Sequence, residues 1–319
     1  MDRVLERLGE IGIIPVIQLD SAQAAVGLGH ALVQGGIPAA EVTFRTAAAE
    51  AAIAAMAAQV PDLLVGAGTV LTVDQATRAV RAGARFLVSP CYVDEVVAYG
   101  RSQGIPVLPA VTNPDGVARG LAQGLEVLKF FPAGASGGTA TLDALAGPFG
   151  TMAFVPTGGI NAANLADYAR RPNVLAVGGS WMVKPGLVAS GDWATVTRLC
   201  REAVAALHGF AFAHLGINTP AEQTCRDLAG TFARLFALPC REGRNSIFAG
   251  DRIEITKQPF PGEQGHIAIS CNQVQRAVAY FAAAGIAARP ETAKLAKGRC
   301  KAIYLDLELG GFAVHLVQA

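Results

Sequence analysis

From residue 11 to about 208 the chain alternates short apolar runs with alanine-rich stretches of helical period. No other feature narrows the possible folds as much. The runs are Ile13–Leu19, Ala39–Arg45, Leu63–Val70, Phe86–Pro90, Pro106–Val111, Val127–Pro132, Ala153–Gly159 and Val174–Trp181. Between and after them the pattern predicts helices over 21–34, 47–59, 73–82, 93–103, 114–122, 139–146, 161–170 and 192–207. Ser21, Thr72, Asn113 and Asn161 mark helix starts, and Gly35, Gly83 and Gly104 mark stops. The connections are too short for anything but local crossovers. Eight such units in roughly 200 residues therefore predict an α/β fold, a parallel (β/α)8 TIM barrel; a doubly wound sheet usually has fewer strands.

Composition excludes several classes. At 52% hydrophobic and 16% charged, the chain can fill a large core and is not disordered. A net charge of +1 gives no basic footprint for nucleic acid, and no Lys/Arg cluster addresses a membrane. The apolar run Ile11–Leu19 is interrupted by Gln18 and stops at Asp20, which suits neither a signal peptide nor a membrane span. Six cysteines (Cys91, Cys200, Cys225, Cys240, Cys271 and Cys300) lack C-x-x-C spacing, as expected of reduced thiols in a cytoplasmic protein.

Within the alternation, Lys129 stands out. It lies among Val127, Leu128, Phe130 and Phe131, and Pro132 ends the run. Desolvation disfavours an ammonium, so such a lysine either snorkels to water or gives up its proton. A neutral amine can attack a ketone and form a Schiff base. Strand parity adds company: in Glu41-Val-Thr-Phe-Arg45, the residues Glu41, Thr43 and Arg45 share one face. The apolar set must face the outer helices, so Glu41 and Arg45 face the barrel axis, as Lys129 does. A purely structural Glu41–Arg45 ion pair is the alternative. Glycine pairs in Pro156-Thr-Gly-Gly-Ile160, taken as opening a helix, and in Gly178-Gly-Ser-Trp181 fall after strands seven and eight. Barrels commonly bind phosphate there. Gly66-Ala-Gly-Thr69 adds a small-residue opening and a hydroxyl at the same mouth.

Glu41-Val-Thr-Phe-Arg-Thr46, Gly66-Ala-Gly-Thr-Val70, Ser89-Pro90, Lys129-Phe-Phe-Pro-Ala133, Gly147-Pro-Phe149, Pro156-Thr-Gly-Gly-Ile160 and Gly178-Gly-Ser-Trp181 together resemble the 2-dehydro-3-deoxy-phosphogluconate (KDPG) / 4-hydroxy-2-oxoglutarate (KHG) aldolase family, over residues 1–208. The resemblance implies a class I aldolase that needs no metal and is usually a homotrimer, acting on a small keto acid or phosphosugar. It implies Lys129 as the Schiff-base lysine and Glu41 as the acid/base. Arg45, Thr69 and Thr157 would hold carboxylate and hydroxyls, and Gly158, Gly159, Gly179 and Ser180 the phosphate. Pro90 and Phe131 would pack around the Schiff base. One departure is Cys91-Tyr92 after Ser89-Pro90, where that family usually has a glycine. A non-catalytic phosphosugar-binding module is the competing class of function; it would be expected to lack the lysine or the glutamate.

Near His208-Gly209 the rhythm changes, so the domains are set at 1–208 and 209–319. Strand Phe210–Ile217 leads to a helix from Thr219-Pro220 to about Phe236, and two strands flank Gly250-Asp251. The order returns as strand Gly265–Cys271, helix Gln273–Ala284 capped by Asn272 and Gly285, strand Lys301–Leu307, turn Gly310-Gly311 and strand Phe312–Gln318. Ala213-His-Leu-Gly-Ile217 matches Gly265-His-Ile-Ala-Ile269, and Ile253-Glu-Ile255 matches Val314-His-Leu316, an internal βαβββ duplication. The smaller α+β domain resembles the vicinal oxygen chelate (glyoxalase/dioxygenase-like) superfamily. That resemblance implies a divalent metal (Zn, Fe, Ni or Mn) on His214, Glu254, His266 and His315, with His315 in place of the more usual Glu. A packing or ligand-binding module without metal is the alternative, as is a metal-dependent lyase or isomerase that is the chain's main activity. His30 and His208 are expected at the surface.

Overall fold

The computed structural model describes residues 2–296 and 298–319. The chain separates into two compact units, Met1–Leu207 and His208–Ala319.

In the first unit eight parallel strands close on themselves. They are β1 (Ile13–Ile17), β2 (Ala39–Thr43), β3 (Leu64–Gly68), β4 (Leu87–Val88), β5 (Val107–Leu108, resumed at Ala110–Val111), β6 (Val127–Phe130), β7 (Ala153–Pro156) and β8 (Val177–Gly179). β1 pairs with β2 on one side and β8 on the other, and single bridges, Phe154 to Val174 and Thr157 to Gly178, join β7 to β8. The (β/α)8 architecture expected from the alternation is present. β5 breaks at Pro109, which has no N–H for the ladder, while its carbonyl accepts from Lys129 N.

The helices are α1 (Arg3–Ile11), α2 (Ala25–Gln34), α3 (Ala49–Gln59), α4 (Val73–Arg81), α5 (Asp94–Gln103), α6 (Pro114–Ala122), α7 (Gly138–Ala146), α8 (Leu165–Ala169), α9 (Pro185–Ser190) and α10 (Trp193–His208). Thr72 and Asn113 cap α4 and α6 through bonds from Gln75 N and Gly116 N, whereas Ser21 caps a 3-10 turn ahead of α2. Asn161 does not start a helix. It exchanges bonds with Ala163 N and Asn164, and α8 begins only at Leu165. α1 is absent from the sequence reading because its start is charged and short. Asp2 caps it, Gly12 ends it at φ 75°, and Leu5, Leu8 and Ile11 join the barrel's core. Burying such side chains contributes about 2 kcal/mol each.

Among the described residues the second unit is one eight-stranded sheet with two α-helices and a 3-10 turn at Pro290–Thr292. Its elements are β9 (Ala211–Ile217), α11 (Glu222–Phe236), β10 (Cys240–Glu242), β11 (Ser246–Ala249), β12 (Ile253–Thr256), β13 (Gly265–Cys271), α12 (Val274–Ala283), β14 (Lys294–Ala296), β15 (Arg299–Leu309) and β16 (Phe312–Gln318). The strand order is β10-β11-β12-β9-β13-β16-β15-β14. β9 and β13 are antiparallel at the centre, and each has the last strand of its own half as its parallel outer neighbour. The paired βαβββ modules are thus explicit in the topology. The edge strands β10 and β14 are too short and polar to register as strands in the sequence. Thr219 does not cap α11; its hydroxyl donates to Thr256 O.

Candidate functional sites

The barrel's charged centre begins with strand parity. Val42 on β2 and Val65 and Ala67 on β3 face the helices, leaving Glu41 on the inner wall. Glu41 and Lys129 are 2% and 5% exposed, so neither charge is tolerable alone. They meet: Lys129 Nζ donates to Glu41 Oε1 at 3.1 Å and Oε2 at 3.4 Å. The ammonium also lies 5.5 Å from the centre of the Phe131 ring.

Above this pair a pocket of about 170 Å³ opens at the carboxyl ends of the strands. Arg45, Thr69, Pro90, Lys129, Phe131, Thr157, Gly158, Gly159, Gly179 and Ser180 all line it, together with Val16 and Ile160, which the sequence reading did not single out. Those two are apolar wall residues, with no signal to separate them from the core. Arg45 Nε donates to Thr69 Oγ1 at 3.3 Å, and Thr69 holds a left-handed backbone at φ 57°, rare for a β-branched residue. Gly158 and Gly159 have φ 95° and 77°, conformations a side chain would strain. The helix N-terminus expected behind this glycine pair is missing, since α8 starts five residues after Ile160. Any anion site here is therefore made by the loops alone. Ser89, next to Pro90, is fully buried and bonds Val70 O, which fixes the loop carrying Cys91 and Tyr92. A larger cleft of about 300 Å³ lies at the opposite ends of β5 and β6, between Gly100, Pro106 and Leu125, away from the charged pair.

The second unit has its own cluster. His214, Glu254, His266 and His315 sit on β9, β12, β13 and β16, the four central strands, and they meet on one face. His214 Nε2 and His266 Nε2 are 3.3 Å apart, and Glu254 Oε2 lies 3.1 Å from each. Three atoms placed about 2.1 Å from a common metal in tetrahedral or octahedral directions would be separated by about 3.0–3.4 Å. The ligand nitrogens of His214, His266 and His315 all fall within 4.8 Å of one another. His315 Nε2 and His266 Nδ1 are buried without a hydrogen-bond partner. Burial pushes the Glu254 carboxyl up, but bonds with His214, His266 and Ser246 outweigh it and hold the group well below the usual range. Burial, then repulsion from His266 and His214, lowers His315 to about 3, so its imidazole is neutral and available as a donor. Tyr304 stacks on His315 at 4.7 Å; burial and then Glu254 push its phenol up to about 12.

His208 is not a surface residue. It is 3% exposed, stacked on Phe210 and against Tyr280, and burial followed by Arg276 lowers it to about 4. The unfolded chain binds this proton near pH 6.5, so stability is complete above that pH and falls as pH drops toward 4. The slope is up to about 1.4 kcal/mol per pH unit. Denaturant titrations at pH 7 and 4.5 should show the loss, and His208→Phe should remove much of it.

A closed parallel barrel with a buried lysine bonded to a buried carboxylate beneath a small polar pocket is the architecture of lysine-dependent, Schiff-base lyases. Comparison with known proteins narrows this. The KDPG and KHG aldolase family matches residues 4–199, and the chain belongs to it. It is 48% identical over 202 residues to the 2-dehydro-3-deoxy-phosphogluconate aldolase of Treponema pallidum, covering 63% of this chain and 96% of that one. It is 42% identical over 192 residues to the KHG/KDPG aldolase of Escherichia coli K12, covering 60% and 90%. Among solved structures, the KDPG aldolase of Legionella pneumophila, with pyruvate captured at low pH as a covalent carbinolamine intermediate, has TM-score 0.61 and 40% identity. That match covers 62% of this chain and 97% of the other. The family segment ends at residue 199 and does not describe the second unit.

Proposed function

We propose that the first unit is a class I aldolase that cleaves 2-dehydro-3-deoxy-6-phosphogluconate, 4-hydroxy-2-oxoglutarate or both, releasing pyruvate with glyceraldehyde 3-phosphate or glyoxylate. The carrying observation is the buried Lys129–Glu41 contact at 3.1 Å beneath the pocket. Glu41 is placed to take the ammonium proton, leaving an amine that attacks the C2 ketone. Glu41 returns that proton to the carbinolamine hydroxyl, which leaves as water and gives an iminium. The iminium then draws the electrons of the C3–C4 bond as the regenerated Glu41 carboxylate accepts the C4 hydroxyl proton. The same carboxylic acid then protonates C3 of the enamine, and water releases pyruvate. Arg45, held by Thr69, meets the substrate carboxylate, with Thr157 beside it. Gly158, Gly159, Gly179 and Ser180, which line the same pocket, receive the phosphate, and Pro90 and Phe131 pack around the imine. This chemistry needs no metal. Borohydride added with pyruvate should leave one adduct, mapping to Lys129 by peptide mass spectrometry; an unlabelled Lys129 would refute the aldolase reading.

Within the second unit, residues 209–319 are proposed as a vicinal-oxygen-chelate-type module that holds a divalent metal (Zn, Fe, Ni or Mn) through His214, Glu254, His266 and His315. The 3.1–3.3 Å donor triangle and the orphaned His315 nitrogen support it. A metal there would supply Lewis acidity for a lyase or isomerase activity of this unit. We further infer a homotrimer in the cytoplasm, to be checked by sedimentation and by fractionation. Among the described residues no helix is long and apolar enough to cross a membrane.

A further inference from the structure

β3 alternates Val65 and Ala67, buried against the helices, with Gly66 and Gly68 on the barrel's inner wall. Barrel interiors are normally filled by branched side chains, so two bare positions on one inner face need a reason. Backbone conformation is not the reason at Gly68, because it does not lie in the left-handed region that favours glycine. Space is. A Cβ on Gly66 would sit 2.4 Å from Cε2 and Cζ of Phe86, whose ring fills that part of the interior. A Cβ on Gly68 would sit 2.3 Å from Glu41 Oε1, 2.6 Å from its Cγ and 2.9 Å from its Cδ. Glu41 cannot swing aside cheaply, since it is 2% exposed and its carboxylate is bonded to Lys129.

We propose that Gly68 is a positioning residue of the aldolase site: the space left by its missing side chain is the slot in which the Glu41 carboxylate lies, and it sets that carboxylate's approach to Lys129. The inference rests on the Schiff-base reading above. It adds a residue that touches neither substrate nor imine and acts only through Glu41. A methyl group here displaces the proton-transfer group and leaves Lys129 and the carboxylate-binding Arg45 in place. Proton transfer is far more sensitive to a displacement of a few tenths of an ångström than binding is.

The test is Gly68→Ala in the full chain, beside Glu41→Ala and the double variant. For Gly68→Ala, kcat for cleavage should fall at least 100-fold and KM should change less than about threefold. Exchange of pyruvate methyl protons with deuterium oxide should slow in parallel with kcat, while end-point borohydride labelling of Lys129 persists. In the Glu41→Ala background, adding Gly68→Ala should cost less than about threefold in kcat, and the melting temperature lost in the single variant should return. Gly66→Ala is the control: its clash is with Phe86, so Glu41→Ala should not restore its stability. Unchanged cleavage in Gly68→Ala would overturn the proposal, as would a further tenfold loss on adding it to Glu41→Ala. If Gly68→Ala does not fold, recovery of folding in the double variant still supports the slot, and its absence refutes it. Failure of the underlying reading looks different: wild-type protein would then form no pyruvate adduct at Lys129.

Discussion

Lys129→Met should lower aldol cleavage by at least about 10⁴-fold, equivalent to about 5.5 kcal/mol in the barrier. The size follows from the mechanism. Without an amine there is no iminium, and no other group lining the pocket can accept the electrons of the breaking C3–C4 bond. The fold should survive, because a methionine fills the same strand position and the substitution removes one of two desolvated charges. It leaves Glu41 buried without its partner, a cost the melting temperature of the variant should report. Glu41→Gln separates the roles. It keeps the shape and Lys129, so borohydride should still label the lysine at end point, though more slowly than in the wild type, while cleavage falls by roughly 10²–10⁴-fold for want of a proton carrier. Rapid-quench kinetics with both substrates check these numbers. Loss of labelling in Glu41→Gln would show that the carboxylate is required for imine formation itself.

The second large effect concerns the other unit. After chelator treatment, adding Zn²⁺, Mn²⁺, Ni²⁺ or Fe²⁺ should raise its melting temperature. At a free metal concentration 100 times the dissociation constant, the gain is about 2.7 kcal/mol, or roughly 10 °C or more for a domain of this size. His214, His266 and Glu254 already lie at the mutual distances of ligands on one ion, so little reorganisation opposes binding. The response should weaken in acid, because a protonated imidazole has no free lone pair for a metal. His266→Ala/His315→Ala should lose both the thermal response and the bound metal by elemental analysis. Equal metal content in the variant and the wild type would end the ligand assignment. Labelling of Lys129 provides an internal control in the same samples.

Legibility varied with the physical origin of each feature. Barrel strands and most helices were readable because burial imposes a period on the sequence, and Thr72 and Asn113 declared their helix starts by local hydrogen bonding. Asn161 carried the same signal and misled, because in this loop it bonds within its own turn and α8 starts later. α1 and the edge strands β10 and β14 lack a long apolar pattern. His208 was misread for a related reason: its burial is made by Phe210 and Tyr280, which local sequence cannot place against it.

By itself the sequence determined which residue types face inward on each strand, and hence that Glu41, Arg45 and Lys129 share one interior and that His214 and His266 hold equivalent places in a repeat. Those are consequences of period and duplication, both local. Only the tertiary structure decided distances. Residues 88 positions apart come within 3.1 Å because the barrel closes, and Glu41 fits there because β3 presents a bare Gly68 beside it. Four ligand-type side chains converge because two halves pair through β9 and β13. Convergence of that kind is a property of the closed fold, and no window of sequence contains it.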